Sequence, residues 1–318
     1  MDTALPEHRL SPYIRDLLQS GRTLPRIKVA VVHPVDRHAI EAVVEAVAQG
    51  LINPVLVGPR ERINKAAGDA GADISAWPVI DSEHSHAAAA MSVAMAARGE
   101  VEALMKGALH TDELLHCVVA PESHLRTERR ISHAYLLDAP AYSKPLIITD
   151  AAVNILPDLA EKADICRNAI GLWHSLFGFE RKPKVALLSA VETVSADLPS
   201  TLDAAALCKM CDRGQITDAV LDGPLAFDTI ISPAAAADKG LTSPVAGDAD
   251  IIVVPNIEAG NALAKALIYL GDAHAAGIVL GARVPIILTS RADSVPARLL
   301  SCVVAQYLVE ARRQGRLK

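Results

Sequence analysis

The sequence predicts an α/β protein with mostly parallel sheets covered by helices on both faces. Three observations predict it. Short β-rich runs alternate with Ala-rich helical stretches along nearly the whole chain, the pattern of strands joined by crossover helices. Hydrophobic residues make up 51% of the sequence but aromatics only 3%, so the core has to be built from Ala, Val, Ile and Leu. With 318 residues the chain is long enough for one large or two ordinary domains.

Taken in order, "IKVAVVH" (27–33) reads as the first strand and "DRHAIEAVVEAVAQG" (36–50) as the helix after it. "PVLVG" (54–58), "WPVID" (77–81) and "EALMK" (102–106) continue the strands, with the helix "HAAAAMSVAMAARGE" (86–100) before the last of them. "SHAYLLDAPAYSKPLIITD" (132–150) breaks the rhythm: two strand-like runs joined by a short Pro-containing loop leave no room for a helix and predict a hairpin. The alternation resumes with "KVALLS" (184–189), "DAVLDG" (218–223), "DIIVVP" (250–255), "GIVLG" (277–281) and "PIILTS" (285–290). The strand number and the hairpin argue against an eight-fold βα barrel. They place a domain change near the hairpin, with residues 1–143 plus 288–318 as the first α/β domain and 144–287 as the second.

A formal charge of −6 argues against broad binding to nucleic acid or an anionic membrane, though it permits a local basic pocket. Five scattered cysteines suit reduced thiols and a cytoplasmic location. "CKMC" (208–211) lies in the helix-like stretch "TLDAAALCKMCDRG", with no second ligand pair, and reads as packing. His84 and His86 begin a helix on different faces, a poor shared metal site. The start of the chain lacks the apolar run of a secretion signal, and no uncharged apolar stretch is long enough to span a membrane.

Ligands of open α/β sheets bind beyond the carboxyl ends of the strands. His33, Lys106, Asp150, Ser189, Asp222, Asn256 and Ser290–Arg291 each follow directly on an apolar run. Singly they read as caps or loop residues; as a set they suggest a polar cleft. In "LMKGALHTDELL" (104–115), Lys106 ends a strand and Gly107 allows close backbone approach. Thr111 or Asp112 can then start a helix whose open N–H groups suit phosphate. Arg126, Arg129 and Arg130 precede the hairpin and match phosphate oxygens, or form plain charged surface. Asp222–Gly223–Pro224 reads as a tight turn at a strand end. "VPNIEAGNALAKAL" (254–267) puts Gly260 and Asn261 at a helix start, as an anion cradle or simply as caps.

These stretches together resemble the phosphate acetyl/butyryltransferase family. The likeness runs from about residue 27 and is densest in "LMKGALHT", "ISHAYLL", "AVETVSADLPSTLDAAALCKM", "LDGPLAFD", "GDADIIVVPNIEAGNALAKAL" and "PIILTSRADS". It is also similar to the transferase half of fused hydratase–phosphate acyltransferase proteins. The resemblance implies two αβα domains flanking a cleft that holds the active site, in a fold related to isocitrate and isopropylmalate dehydrogenases. It also implies a homodimer, no permanently bound cofactor and no metal. The implied reaction transfers an acyl group between coenzyme A and inorganic phosphate through an acyl phosphate. Ser290 and Arg291 match the family's Ser–Arg motif and carry the implied catalytic role. Phosphate and substrate contacts are expected at Lys106, Gly107, Thr111, Arg130, Ser132, Asp222, Asn256, Gly260 and Asn261.

One departure stands out. The acetyl branch places a base aspartate several residues after the arginine, whereas here that count reaches the "VPA" segment around Ala297. Asp293 is the carboxylate near enough to serve instead, and "TSRADS" looks like the butyryl branch. Acetyl transfer is the expectation, butyryl transfer the alternative. A decarboxylating dehydrogenase lacks a convincing aspartate ligand set and a GxGxxG after the first strand. A noncatalytic acyl-CoA-binding regulator retaining the fold is the reading from outside enzymology.

Overall fold

The computed structural model describes residues 10–288 and 295–317, with the side chains of 295 and 296 left aside. Ser290, Arg291 and Asp293 therefore lie outside the described residues. Among the described residues two compact units emerge, one formed by residues 15–129, 276–288 and 295–317, the other by residues 10–14 and 130–275.

After helix α1 (Pro12–Gly21), the first unit alternates β1 (Ile27–Val32), α2 (Arg37–Ala48), β2 (Ile52–Gly58), α3 (Arg60–Ala70), β3 (Val79–Asp81), α4 (Ser85–Ala97), β4 (Ala103–Lys106) and α5 (Thr111–Val119). Asp36 starts α2 by accepting the Ala39 N–H at 2.8 Å, and the His84 ring starts α4 by accepting the Ala87 N–H at 3.1 Å. The second unit opens with β5 (Ser132–Asp138) and β6 (Leu146–Thr149), which pair antiparallel as the expected hairpin. It continues through α6 (Leu159–Phe177), β7 (Lys184–Leu188), α7 (Pro199–Asp212), β8 (Val220–Leu225), α8 (Phe227–Ile231), α9 (Pro233–Asp238), β9 (Ile251–Val253) and α10 (Ile257–Tyr269). A reciprocal capping box, Asp158 with Glu161, begins α6. Then β10 (His274–Leu280), β11 (Ile286–Ile287) and α11 (Val295–Arg313) complete the chain.

In the first unit the strand order is β3-β2-β1-β4-β11-β10, parallel except for the β10–β11 pair. In the second it is β5-β6-β9-β7-β8, parallel after the hairpin. Strands such as β1 and β2 are buried along nearly their whole length, because helices cover both faces. As expected from the composition, the core is filled by Ile, Val, Leu and Ala, for example Ile27, Val31, Leu56, Leu104, Leu136 and Ile252.

One local reading needs correction. Asp222–Gly223–Pro224 is no turn at a strand end, since β8 continues through it to Leu225. A register shift against β7 between Ala186 and Leu188 absorbs the irregularity, and the ladder resumes where Ser189 donates its N–H to Leu225 O at 2.9 Å. The Gly–Pro pair suggested a stop, but a bulged edge strand tolerates both residues.

Candidate active site

The carboxyl edge of the first unit is built by strands β1 and β4. The order β3-β2-β1-β4 means that the chain leaves β1 toward one side of the sheet, then returns past it to lay down β4 on the other. Loops following two such neighbouring strands diverge and leave a crevice, the usual ligand position in open α/β sheets. Val32 and Lys106 are register partners there.

Gly107 presses on the end of β1, donating its N–H to Val32 O at 2.9 Å while Ala108 donates to His33 O at 2.9 Å. A Cβ on Gly107 would stand 2.5 Å from Val32 O and 2.8 Å from His33 O, so only glycine fits. Gly107→Ala is expected to destabilise the chain by about 1–3 kcal/mol, read as a lower urea midpoint. Lys106 is buried, and its ammonium donates to Leu109 O at 3.1 Å and, at the limit, to Gly107 O at 3.4 Å. Thr111 is the first residue of α5, whose cap residue His110 offers no side-chain hydrogen bond to the opening turn. The Lys106 ammonium and the uncapped first turn of α5 thus put donors along one edge, an arrangement suited to an anion. Ile287 of β11 stands beside Met105, one residue before the level of Lys106.

His33 also belongs to this edge. It follows β1 with φ +54, a left-handed conformation that His adopts more readily than most residues. Burial lowers its pKa from 6.5, against smaller opposing contributions that include its bond to Ala108.

In the second unit, the loop after β6 is organised by Asp150. Its carboxylate accepts the N–H groups of Ala152 and Val153 at 2.9 and 3.0 Å and the backbone and side-chain N–H groups of Asn154 at 3.1 and 2.6 Å. Asn154 in turn accepts Arg130 Nε at 2.9 Å and donates to Ile131 O at 2.8 Å. The guanidinium of Arg130 also pairs with Glu161 at 3.2 Å, so this cation is partly neutralised. Ser132 is fully buried and accepts from Asn168 Nδ2 at 2.9 Å.

The first turns of α10 pack on the same loop. A Cβ on Gly260 would stand 2.6 Å from Asp150 O, and Asn261 donates to Ala151 O at 3.2 Å. Asn256 caps α10 by accepting the Ala259 N–H at 2.9 Å. Arg130, Gly260 and Asn261 therefore meet around one polar loop, to which Asn256 is joined where Ile257 donates to Ile155 O at 3.1 Å, while Ser132 is tied through Asn168 to Arg130 O. Asp222 stands apart, its carboxylate accepting the N–H of Gly223 at 2.8 Å.

Reading the sequence left out Asn154, which holds this loop, and Asn168, which donates to Arg130 O and Ser132 Oγ, and gave Asp150 only a strand-end position. The buried ring of His133, whose Nδ1 has no partner, was also left out. Burial pushes His133 down to about 4 against the opposing charge of Asp150, which keeps it neutral near pH 7. The available signal was the Asp–Asn spacing in "TDAAVN" (149–154), at the far end of the hairpin that "ISHAYLL" (131–137) opens.

The cysteine pair behaves as packing. Cys208 and Cys211 donate to Gly223 O and Ala219 O, both at 3.7 Å, and burial pushes the Cys208 thiol up to about 12. Among the described residues no group of three or more His, Cys, Asp or Glu side chains is placed to hold a metal, and no helix is long and apolar enough to cross a membrane.

Comparison with known proteins places the chain in a family. Residues 83–305 match the family described as Phosphate acetyl/butaryl transferase. The chain is 55% identical over 293 residues to the phosphate acetyltransferase of Rickettsia prowazekii, covering 92% of this chain and 83% of that protein. It is 40% identical over 278 residues to the phosphate butyryltransferase of Clostridium acetobutylicum, covering 87% of this chain and 92% of that one. A branched-chain phosphotransacylase from Enterococcus faecalis, known from its crystal structure, superposes with a TM-score of 0.78 at 30% identity, over 89% of this chain and 99% of that one. The chain belongs to the phosphate acetyl/butyryl transferase family.

Proposed function

We propose that this chain is a phosphate acetyltransferase, interconverting acetyl-CoA and phosphate with coenzyme A and acetyl phosphate. The observation that carries this reading is the higher identity to an acetyl enzyme, 55%, than to a butyryl enzyme, 40%. It is supported by the carboxyl edge of the first unit, where Lys106 and the start of α5 at Thr111 suit phosphate oxygens and Gly107 allows the close backbone approach that places them.

In the direction of acetyl-CoA synthesis, the thiolate sulfur attacks the carbonyl carbon of acetyl phosphate. A C–S bond forms, the C–O bond to phosphate breaks, and phosphate leaves with the bonding pair. Both the tetrahedral oxyanion and the leaving phosphate call for fixed positive charge and hydrogen-bond donors. Arg291 and Ser290 are proposed for that role, with Asp293 the nearby carboxylate. The polar loop of the second unit, with Arg130, Ser132, Asn256, Gly260 and Asn261, is proposed as a further substrate-contacting edge, and Asp222 as its outlying member. No covalent enzyme intermediate is needed when both substrates are bound together. Reduced thiols throughout the described chain suit a cytoplasmic setting, and a homodimer is the proposed assembly.

Relative kcat/KM for acetyl-, propionyl- and butyryl-CoA with phosphate tests the reading. Acetyl-CoA is expected to lead, and one methylene in an acyl pocket shifts preference by about 1–3 kcal/mol. A lead for butyryl-CoA moves the chain to the butyryl activity, and silence with all three removes acyl transfer.

A further inference from the structure

His33 is held in one tautomer. Its Nδ1 lies 3.0 Å from Ala108 O, and a carbonyl only accepts, so Nδ1 carries the proton and Nε2 presents a lone pair. The side chain is 5% exposed, and Nε2 is buried with no hydrogen-bond partner. Unpartnered buried acceptors are uncommon, because each forfeits its bond to water.

The position is equally specific. His33 sits at the end of β1, where the loops after β1 and β4 part, one residue beyond the Val32–Lys106 register pair. Adjacent strands are about 4.8 Å apart, so β11 lies only two strands away, on the far side of β4. Lys106 and the α5 start offer donors along this edge, which phosphate and acetyl phosphate satisfy with their own oxygens. In acetyl-CoA synthesis the reactant that must surrender a proton is the coenzyme A thiol. An unpartnered acceptor beside these donors suits that group.

We propose that His33 Nε2 accepts the proton of the coenzyme A thiol, and returns it to the leaving thiolate in the reverse direction. The S–H bond breaks, its electron pair stays on sulfur for attack on the acyl carbon, and the proton rests on Nε2 as imidazolium. The inference rests on the acyl-transfer reading and deepens it by assigning the base. Three charged groups on the surrounding elements act on the ring: Asp36 at the start of α2, Arg62 on α3 and Glu113 on α5. Glu113 favours the imidazolium, and its Oε2 is likewise buried and without a partner.

His33→Asn is the direct test. Asparagine tolerates φ +54 and keeps a donor toward Ala108 O, but removes the Nε2 acceptor. Acetyl-CoA synthesis at pH 6.5 is expected to fall about a hundredfold, with affinity for desulfo-coenzyme A, which lacks the thiol, unchanged. Wild-type kcat/KM is expected to decline only below the lowered pKa of His33. The variant should instead follow thiolate concentration, tenfold per pH unit between about pH 6 and 8. A folded variant within twofold of wild type, with the same acid limb, overturns the proposal.

If His33→Asn does not fold, Glu113→Gln serves. Losing that carboxylate should move the acid limb to lower pH, and an unmoved limb overturns the proposal. Loss of the limb in Asp293→Asn instead would assign the proton to Asp293 and equally overturn it. An inactive wild-type chain removes the acyl-transfer reading itself, whereas an active wild type with an active His33→Asn removes His33 alone.

Discussion

Asp250→Ala is expected to cost about 3–5 kcal/mol of stability, read from urea denaturation at pH 7. The carboxylate is 1% exposed and accepts Arg181 at 2.8 and 3.1 Å, Lys144 at 2.8 Å and the backbone N–H of Lys184 at 2.8 Å. Its own backbone joins three strand starts, since Asp250 donates to Lys184 O at 2.8 Å and accepts from Ile147 N at 2.9 Å. Removing the side chain leaves Lys144, itself largely buried, facing a smaller counter-charge, and strands a buried N–H. Arg181 is half exposed and recovers water, so its share is small.

The same group predicts a pH dependence. Burial alone would raise the Asp250 pKa, but hydrogen bonds from Arg181 and Lys144 lower it from 3.8. A depressed carboxyl favours the folded state above the unfolded pKa, and that contribution disappears as pH falls through the lower folded value. The wild type should therefore lose stability below about pH 4, and Asp250→Asn should flatten that decline. An unchanged acid limb in the variant would show that Asp250 is not its source.

Arg291→Ala is expected to reduce kcat about a hundred- to a thousandfold, the cost of removing one donor from a developing oxyanion. Thiol consumption with acetyl phosphate measures it. Arg291→Lys should recover only part of the rate, because an ammonium replaces charge without the planar fork that engages two oxygens. A near-normal rate in Arg291→Ala would remove this residue from the reaction, leaving Lys106 and the start of α5 as the candidate anion-handling groups.

The fold was largely legible in sequence order. Every strand-like run from "IKVAVVH" to "PIILTS" corresponds to a strand, and the helixless connection in "SHAYLLDAPAYSKPLIITD" to the antiparallel pair β5–β6. Hydrophobic period and breaker residues are local properties, and local properties survive in a single sequence. The Asp222–Pro224 misreading has the same origin, because a bulge and a turn use the same residues until a neighbouring strand is present to pair with.

By itself, then, the sequence determined the succession of strands and helices, the aliphatic core, and the motifs "LMKGALHT" and "PIILTSRADS" that carry the family likeness. Tertiary structure alone decided which strand ends become neighbours: β1 beside β4 brings His33 to Lys106, though 73 residues separate them in the chain. It also decided that Asn154 joins Asp150 to Arg130, and that Gly260 fits where no Cβ could. The physical reason is that strand order, partner geometry and burial arise between distant segments, and these set whether a histidine nitrogen is solvated, bonded or left as an open acceptor.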